Sequence, residues 1–208
     1  MGRATVNQMN RRDAIELLAL GSLAAALPWT SVELERATGL ARAAREAAGA
    51  GQAYSPRFFT AHEWETVRTL VDLIIPKDER SGSATDAGVP EFMDFIMIDG
   101  SEDRRIAMRG GLAWLDIQCR RRFEQPFLAC AAAERTAVLD EIAWPARAKP
   151  DLSQGVAFFN GFRDLTAAGF WSSRLGVEDL QYRGNTFVAE WRGCPDGALR
   201  KLGVRYND

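Results

Sequence analysis

The sequence has few of the side chains from which catalytic centres are usually built. It contains one histidine, His62, among 208 residues. With a single imidazole, a zinc or non-haem iron site or a Ser-His-Asp triad would have to be built around His62 alone. We therefore interpret His62 as a structural side chain that faces solvent.

Cysteine is also scarce, with three residues in all: Cys119, Cys130 and Cys194. Their spacing is too wide for the close C-x2-C pattern of iron–sulfur ligands. Because the number is odd, at least one cysteine in an oxidising compartment stays free or pairs with another chain. On one continuous helix Cys119 and Cys130 would lie about 16 Å apart, beyond disulfide reach. A bend at Pro126 would change that distance.

Cofactor-binding motifs are missing from the chain. No C-x-x-C-H occurs for c-type haem, and "GAGQAYS" is neither a dinucleotide fingerprint nor preceded by a strand. Paired carboxylates, Glu63 with Glu65 and Asp94 with Asp99, lie on amphipathic helical patterns, where charged residues usually face water. We predict no catalytic residue, metal site or cofactor site on this chain.

The charge distribution indicates no particular partner. The 26 basic and 28 acidic residues are interspersed and give a formal net charge of -2. The sequence has no basic patch that would indicate nucleic-acid binding and no acidic tail that would indicate a disordered segment.

A charged and then apolar stretch, "NRRDAIELLALGSLAAALPW", lies near the N-terminus. Arg11 and Arg12 precede an apolar run, 17–27, which is typical of the twin-arginine (Tat) export signal. The alanines that end with Ala26 offer an A-x-A site, so we predict cleavage after Ala26. The run is shorter than the roughly 20 residues of a membrane span. An uncleaved anchor and an ordinary amphipathic helix are the alternatives.

The body of the chain predicts an all-α fold. Thr60 and Glu63 have the spacing of a capping box, and apolar residues then recur at helical spacing until Pro76. Further helical patterns follow over 90–99, 102–123, 133–144 and 151–169. We predict a signal segment over 1–30, a peripheral helix and linker over 31–57, and a helical domain over 58–208.

The last part of this domain, from about 170 to 208, differs in character. It is dense in Gly, Pro, Asn and aromatic residues, and its pattern allows at most a short helix near Val177. We predict an extended, irregular segment that packs on a partner.

Several motifs in order resemble one known family. They are "FFTAHEWETVRTLVDLIIP", "AGVPEFMDFIMIDG", "FFNGFRDLTAAGFWSS" and "QYRGNTFVAEWRGCPDG". Together with the leader they resemble the gluconate 2-dehydrogenase subunit 3 family, over a span from about Phe58 to Gly203.

The resemblance implies a non-catalytic small subunit of a periplasmic dehydrogenase complex. Its partner would be a larger flavoprotein of the glucose-methanol-choline type that holds FAD and oxidises a sugar, glycoside or sugar acid. Haem c, in a cytochrome c subunit, or an iron–sulfur cluster elsewhere in the complex would take the electrons. In such complexes the flavoprotein often lacks a signal and leaves the cytoplasm with the small subunit through the Tat route.

The resemblance also points to a partner interface near the C-terminus and puts Gly169 to Trp171 at a turn. Aromatic anchors and left-handed backbone positions suit such a surface. The residues are Trp171, Tyr182, Gly184, Asn185, Trp191, Cys194 and Pro195. Cys194 is the first choice for an intersubunit disulfide. The alternatives are that the aromatics pack the tail onto its own domain, and that the chain is a self-sufficient exported enzyme or a membrane-anchoring module.

Overall fold

The computed structural model describes residues 29–49, 53–181, 190 and 193–206. The predicted all-α class is confirmed, and the described part of the chain contains no strand. The α-helices are α1 (Ser31–Gly49), α2 (Ala61–Ile74), α3 (Ala84–Ala87), α4 (Val89–Asp99), α5 (Glu102–Phe123), α6 (Ala132–Ala143), α7 (Ser153–Ser172), α8 (Arg174–Asp179) and α9 (Asp196–Leu202). Short 3-10 helices cover Phe127–Ala129 and Pro150–Leu152.

The start of α2 follows the predicted capping box. The Thr60 hydroxyl accepts the Glu63 backbone N–H at 3.3 Å, and the Glu63 carboxylate accepts the Thr60 N–H at 2.8 Å. Both donors would otherwise lack a partner at a helix N-terminus. The apolar face of α2 is buried, with Val67 and Val71 fully enclosed, and the helix stops before Pro76.

Asp94 on α4 is fully buried, which overturns the prediction that it faces water. Its carboxylate accepts the Tyr54 hydroxyl at 2.7 Å and the backbone N–H groups of Arg57, Phe58 and Phe59 at 2.8, 2.9 and 3.2 Å. Four donors replace the lost water, so the charge is stabilised inside the protein. Burial, with the hydrogen bond to Asp94 next, raises the pKa of Tyr54 above its ordinary value, so Tyr54 remains a donor.

Helix α7 runs through the core and contacts α1 to α6 and α8. Glycines allow these close approaches. A Cβ on Gly155 of α7 would overlap the Trp114 ring, and one on Gly169 would lie 2.6 Å from Phe92 Cδ1. The expected turn at Gly169 to Trp171 is therefore wrong, because α7 continues to Ser172 and Gly169 is buried against α4.

The segment predicted as a peripheral helix and linker, 31–57, is helical over α1. Ala37 and Ala41 are buried, and the helix lies along α4 in the opposite direction, because Arg36 pairs with Asp99 at the end of α4 and Arg45 lies against Gly88 just before its start. Glu33, near its start, pairs with Arg104 at 2.6 Å, whereas Arg45, near its end, donates to the Thr85 carbonyl at 3.0 Å. Contacts along its whole length therefore attach α1 to the domain.

Replacing Asp94 by Asn tests the buried carboxylate. An amide keeps the size of the side chain but turns an NH2 group toward two of the four donors. We expect a loss of about 2–4 kcal/mol in the free energy of unfolding, measured by urea denaturation. The matched control is Asp99→Asn on the same helix, which breaks only the exposed pair with Arg36 at 3.3 Å and should cost less than about 1 kcal/mol. Equal losses would contradict the assignment.

Two glycine-to-alanine changes should have opposite effects on the stability of the folded protein. Gly155→Ala forces Trp114 to move and should destabilise the protein by about 1–3 kcal/mol. Gly39→Ala, on the exposed face of α1, has nothing within 4 Å of the new Cβ and should stabilise it by about 0.5–1 kcal/mol. Thermal unfolding of both variants provides the measurement. A stable Gly155→Ala would show that α5 and α7 do not depend on the close approach.

Candidate partner interface

The structure describes part of the predicted interface. Trp171, Cys194 and Pro195 lie within the described residues. The other predicted interface residues lie outside them; these are Tyr182, Gly184, Asn185 and Trp191. The signal residues Arg11 and Arg12 and the predicted cleavage site at Ala26 also lie outside the described residues.

Trp171 lies in the last turn of α7, with one side packed and the other open. Its ring stands nearly perpendicular to that of buried Phe170, with centroids 4.9 Å apart, and the residue is 39% exposed. The Ser173 hydroxyl donates to the Phe170 carbonyl at 2.7 Å and accepts the Gly176 N–H at 3.0 Å. A Cβ on Gly176 would overlap the Phe170 carbonyl, so the tight turn after Trp171 requires glycine there.

Helix α8, which contains Val177, is the short helix that the sequence allowed. Arg80 fixes the end of α8, because the Arg80 guanidinium donates to the Asp179 carbonyl at 2.7 Å and pairs with the Asp179 carboxylate at 3.2 Å. Gln181 then takes a left-handed conformation with φ 53°, and Leu180 is left 56% exposed. The described chain thus reaches Gln181 at a point fixed by Arg80, beside an exposed apolar side chain.

The C-terminal segment, residues 193–206, folds on itself. The Cys194 N–H donates to the Tyr206 hydroxyl at 2.6 Å, and the Val204 N–H donates to the Leu199 carbonyl at 3.2 Å. Gly193, at φ 86°, lies against the Tyr206 ring, where a Cβ would come within 2.8 Å of Cε2. These contacts close a small loop around α9.

Helix α9 was not predicted. Its signals are nevertheless in the sequence, because Pro195 precedes Asp196 in the first turn, basic residues fill the last turn and left-handed Gly203 follows. They were obscured by the surrounding glycine and aromatic residues.

The segment 193–206 presents apolar side chains to solvent. Leu202, Val204 and Tyr206 are 72%, 51% and 57% exposed, and α9 buries none of its residues within the described structure. A helix normally buries an apolar stripe, and grouped exposed apolar residues are typical of an interaction surface. We call Leu202, Val204 and Tyr206 the tail surface. Cys194 is exposed beside it, and its intersubunit disulfide stays a prediction.

His62 on α2 contacts a carboxylate on α5. Its Nε2 is 2.6 Å from the Asp116 carboxylate, whose other oxygen accepts the Phe127 N–H at 2.9 Å. The contact joins α2, α5 and the first 3-10 helix. Across the described residues no set of three or more His, Cys, Asp or Glu side chains could hold a metal ion. Nor is any helix there both long and apolar enough to cross a membrane.

Comparison with known proteins identifies the family. The family model described as gluconate 2-dehydrogenase subunit 3 matches residues 61–189, well over half of the chain. The chain belongs to the gluconate 2-dehydrogenase subunit 3 family. It is therefore a small subunit of a dehydrogenase complex. No curated protein and no solved structure matched it.

The matched region of the subunit 3 family contains Trp171 and Leu180 but ends before the tail surface. The chain therefore carries exposed apolar side chains both inside the shared region and beyond it. Both sets are candidates for contact with the other subunits.

A charge placed on the tail surface should weaken assembly. Leu202→Asp puts a carboxylate where we expect an apolar contact, so recovery of the dehydrogenase complex with a tagged chain should fall roughly tenfold to hundredfold. Val32→Asp is the control, because Val32 on α1 is 71% exposed and the change is equally charged. Both variants should unfold within about 0.5 kcal/mol of the parent chain. Equal recovery from the two would argue against the tail surface.

Proposed function

We propose that this chain is the non-catalytic escort and assembly subunit of an exported, FAD-dependent dehydrogenase. Its partner is a flavoprotein of the glucose-methanol-choline type that holds the FAD and oxidises a sugar, glycoside or sugar acid. The electrons pass to haem c in a cytochrome c subunit or to an iron–sulfur cluster elsewhere in the complex. The leader carries both proteins through the Tat route to the periplasm.

The observation that carries this proposal is the exposed tail surface on a chain whose family is a dehydrogenase subunit. Leu202, Val204 and Tyr206 contribute no burial to the described domain. Tyr206 supplies a large apolar ring whose hydroxyl oxygen already accepts the Cys194 N–H, so a partner that covers the ring needs to supply only an acceptor for the O–H. Such preordered aromatic anchors are favourable in interfaces because little entropy is lost on binding.

The attachment of α1 supports the escort role. This helix begins at Ser31, close after the predicted cleavage site, and its Glu33 carboxylate pairs with the largely buried Arg104. The Arg104 guanidinium also lies 4.0 Å from the centroid of the Trp29 ring. A leader joined here would be tied to a folded body, which suits a route that carries folded cargo.

Glu33 also shows how this attachment is stabilised. Its carboxylate accepts the Thr30 N–H at 2.8 Å and the Thr30 hydroxyl at 2.7 Å, and these hydrogen bonds, ahead of Arg104, lower the pKa of Glu33 below its ordinary value. A carboxyl group whose pKa is lowered by folding stabilises the folded protein at pH values above its unfolded-state pKa. This stabilisation is lost as the pH falls through its folded-state pKa. This contribution of Glu33 is therefore present at neutral pH and is lost in acid.

The escort role is tested in cells by changing the leader. Arg11→Lys with Arg12→Lys keeps the charge but removes the arginine pair, so both this chain and the flavoprotein should stay in the cytoplasm. The control is Arg120→Lys with Arg121→Lys, an exposed adjacent pair at the end of α5. Immunoblots and dye-linked dehydrogenase activity of the two compartments provide the measurement.

Export of an active flavoprotein without this chain would refute the escort role. Dehydrogenase turnover by the purified chain alone would instead favour a self-sufficient enzyme. Retention of both proteins with the leader variant, and normal export with the control, is the expected result.

A further inference from the structure

Cys119 and Cys130 meet in the core although they are well separated along the chain. Helix α5 ends at Phe123, Glu124 takes a left-handed conformation at φ 61°, and the chain then reverses through Pro126 into the 3-10 helix Phe127–Ala129. The bend between the cysteines that the sequence left open is therefore present, and its left-handed residue is Glu124 instead of Pro126. It returns Cys130 to the face of α5 on which Cys119 lies.

The two thiols are neighbours inside the protein. Cys119 is 0% and Cys130 3% exposed, and both side chains lie in the same buried hydrophobic cluster. Phe127, three residues before Cys130, is hydrogen-bonded to Asp116, three residues before Cys119, which sets the two cysteines side by side. The Cys130 thiol also donates to the Gln125 carbonyl at 3.8 Å. Burial first, and the neighbouring Cys130 second, raise the pKa of the Cys119 thiol to about 12, so it is protonated at neutral pH.

The reversal that joins them is fixed by several hydrogen bonds. The Phe127 N–H donates to the Asp116 carboxylate at 2.9 Å, and the Cys130 N–H donates to the Pro126 carbonyl at 3.2 Å. His62 holds the other oxygen of Asp116. The fold therefore keeps the two sulfurs together, whereas in the unfolded chain they would meet only when the intervening loop closes.

We propose that Cys119 and Cys130 form an intramolecular disulfide when the chain meets a disulfide oxidant, such as oxidised glutathione or a disulfide-bearing oxidase protein. One cysteine sulfur attacks the oxidant, forming a mixed disulfide and releasing one thiol. The second cysteine sulfur attacks the mixed disulfide, forming the bond between Cys119 and Cys130 and releasing a second thiol. The cysteines lose two electrons and two protons, and the oxidant gains both.

The site is distinct from the tail surface and from any role of Cys194. Its bond would join α5 covalently to the reversal that follows it, at the point where His62 and Asp116 already connect α2 to this region. Because the thiolate is the reactive form, the buried pair should exchange slowly in the folded chain, and opening of the reversal should set the rate.

The test measures how strongly the fold favours the bond. The full chain carrying Cys194→Ser is brought to equilibrium in glutathione redox buffers, from the reduced and the oxidised side, both folded and in urea. Free thiols are then alkylated under denaturing conditions and counted by mass. We expect the folded chain to hold the disulfide at roughly tenfold to hundredfold more reducing conditions than the unfolded chain. A folded chain that keeps both thiols where the unfolded chain is oxidised would overturn the proposal.

A second variant and a second source complete the experiment. The oxidant should raise the melting temperature of the Cys194→Ser chain. It should not raise that of the chain that carries both Cys194→Ser and Cys130→Ala. An equal rise in the two chains would count against the bond. Chain isolated from the periplasm should carry the disulfide. Periplasmic chain with both thiols would count against the bond in cells, whereas absence of the chain from the periplasm would contradict the proposed export and leave the bond standing.

Discussion

The buried carboxylate of Asp94 is the interaction on which the arrangement of the domain depends. By accepting three consecutive backbone N–H groups and the Tyr54 hydroxyl, it fixes the chain immediately before α2. The capping box then begins one residue later, so α2 starts in a defined direction. The Phe58 carbonyl accepts the Arg109 guanidinium at 2.7 Å, which extends the same connection to α5. One charged group on α4 thus sets the relation of three helices that enclose α7.

Local features of this fold could be predicted from the sequence, and distant ones could not. The capping box of Thr60 and Glu63 links residues three apart, and the apolar spacing of α2 repeats within one helix. The hydrogen-bond partners of Asp94 are 35–40 residues away along the chain, so the local sequence around Asp94 does not differ from that around a helix residue that faces water. The predicted turn at Gly169 was wrong for a related reason, since glycine is needed there because Phe92 on another helix leaves no room for a side chain. Glycine marks both turns and close helix packing, and only the neighbouring helix distinguishes the two.

The candidate interface was predicted in part, through the family resemblance rather than through spacing. Trp171 lies at a helix end with an exposed side, as an anchor would. The segment from about 170 to 208 was expected to pack on a partner, but α9 and the residues of the tail surface were not predicted, because α9 is short and carries no periodic apolar face long enough to stand out. Its identity as a surface rests on exposure, which a sequence does not record. The neighbouring thiols of Cys119 and Cys130 likewise depended on the direction in which the chain leaves α5.

The antiparallel packing of α1 on α4 has a mechanical consequence. Any force drawn on the N-terminal side of the chain enters at Trp29 and is shared along the helix by Glu33 and Arg104, by the buried alanines and by Arg45. Such contacts are loaded together in shear instead of being opened one after another. The load passes into α4 and α7, and the segment 193–206 lies outside that path along the chain. A pull on Trp29 is therefore resisted along the whole of α1 before it reaches α7.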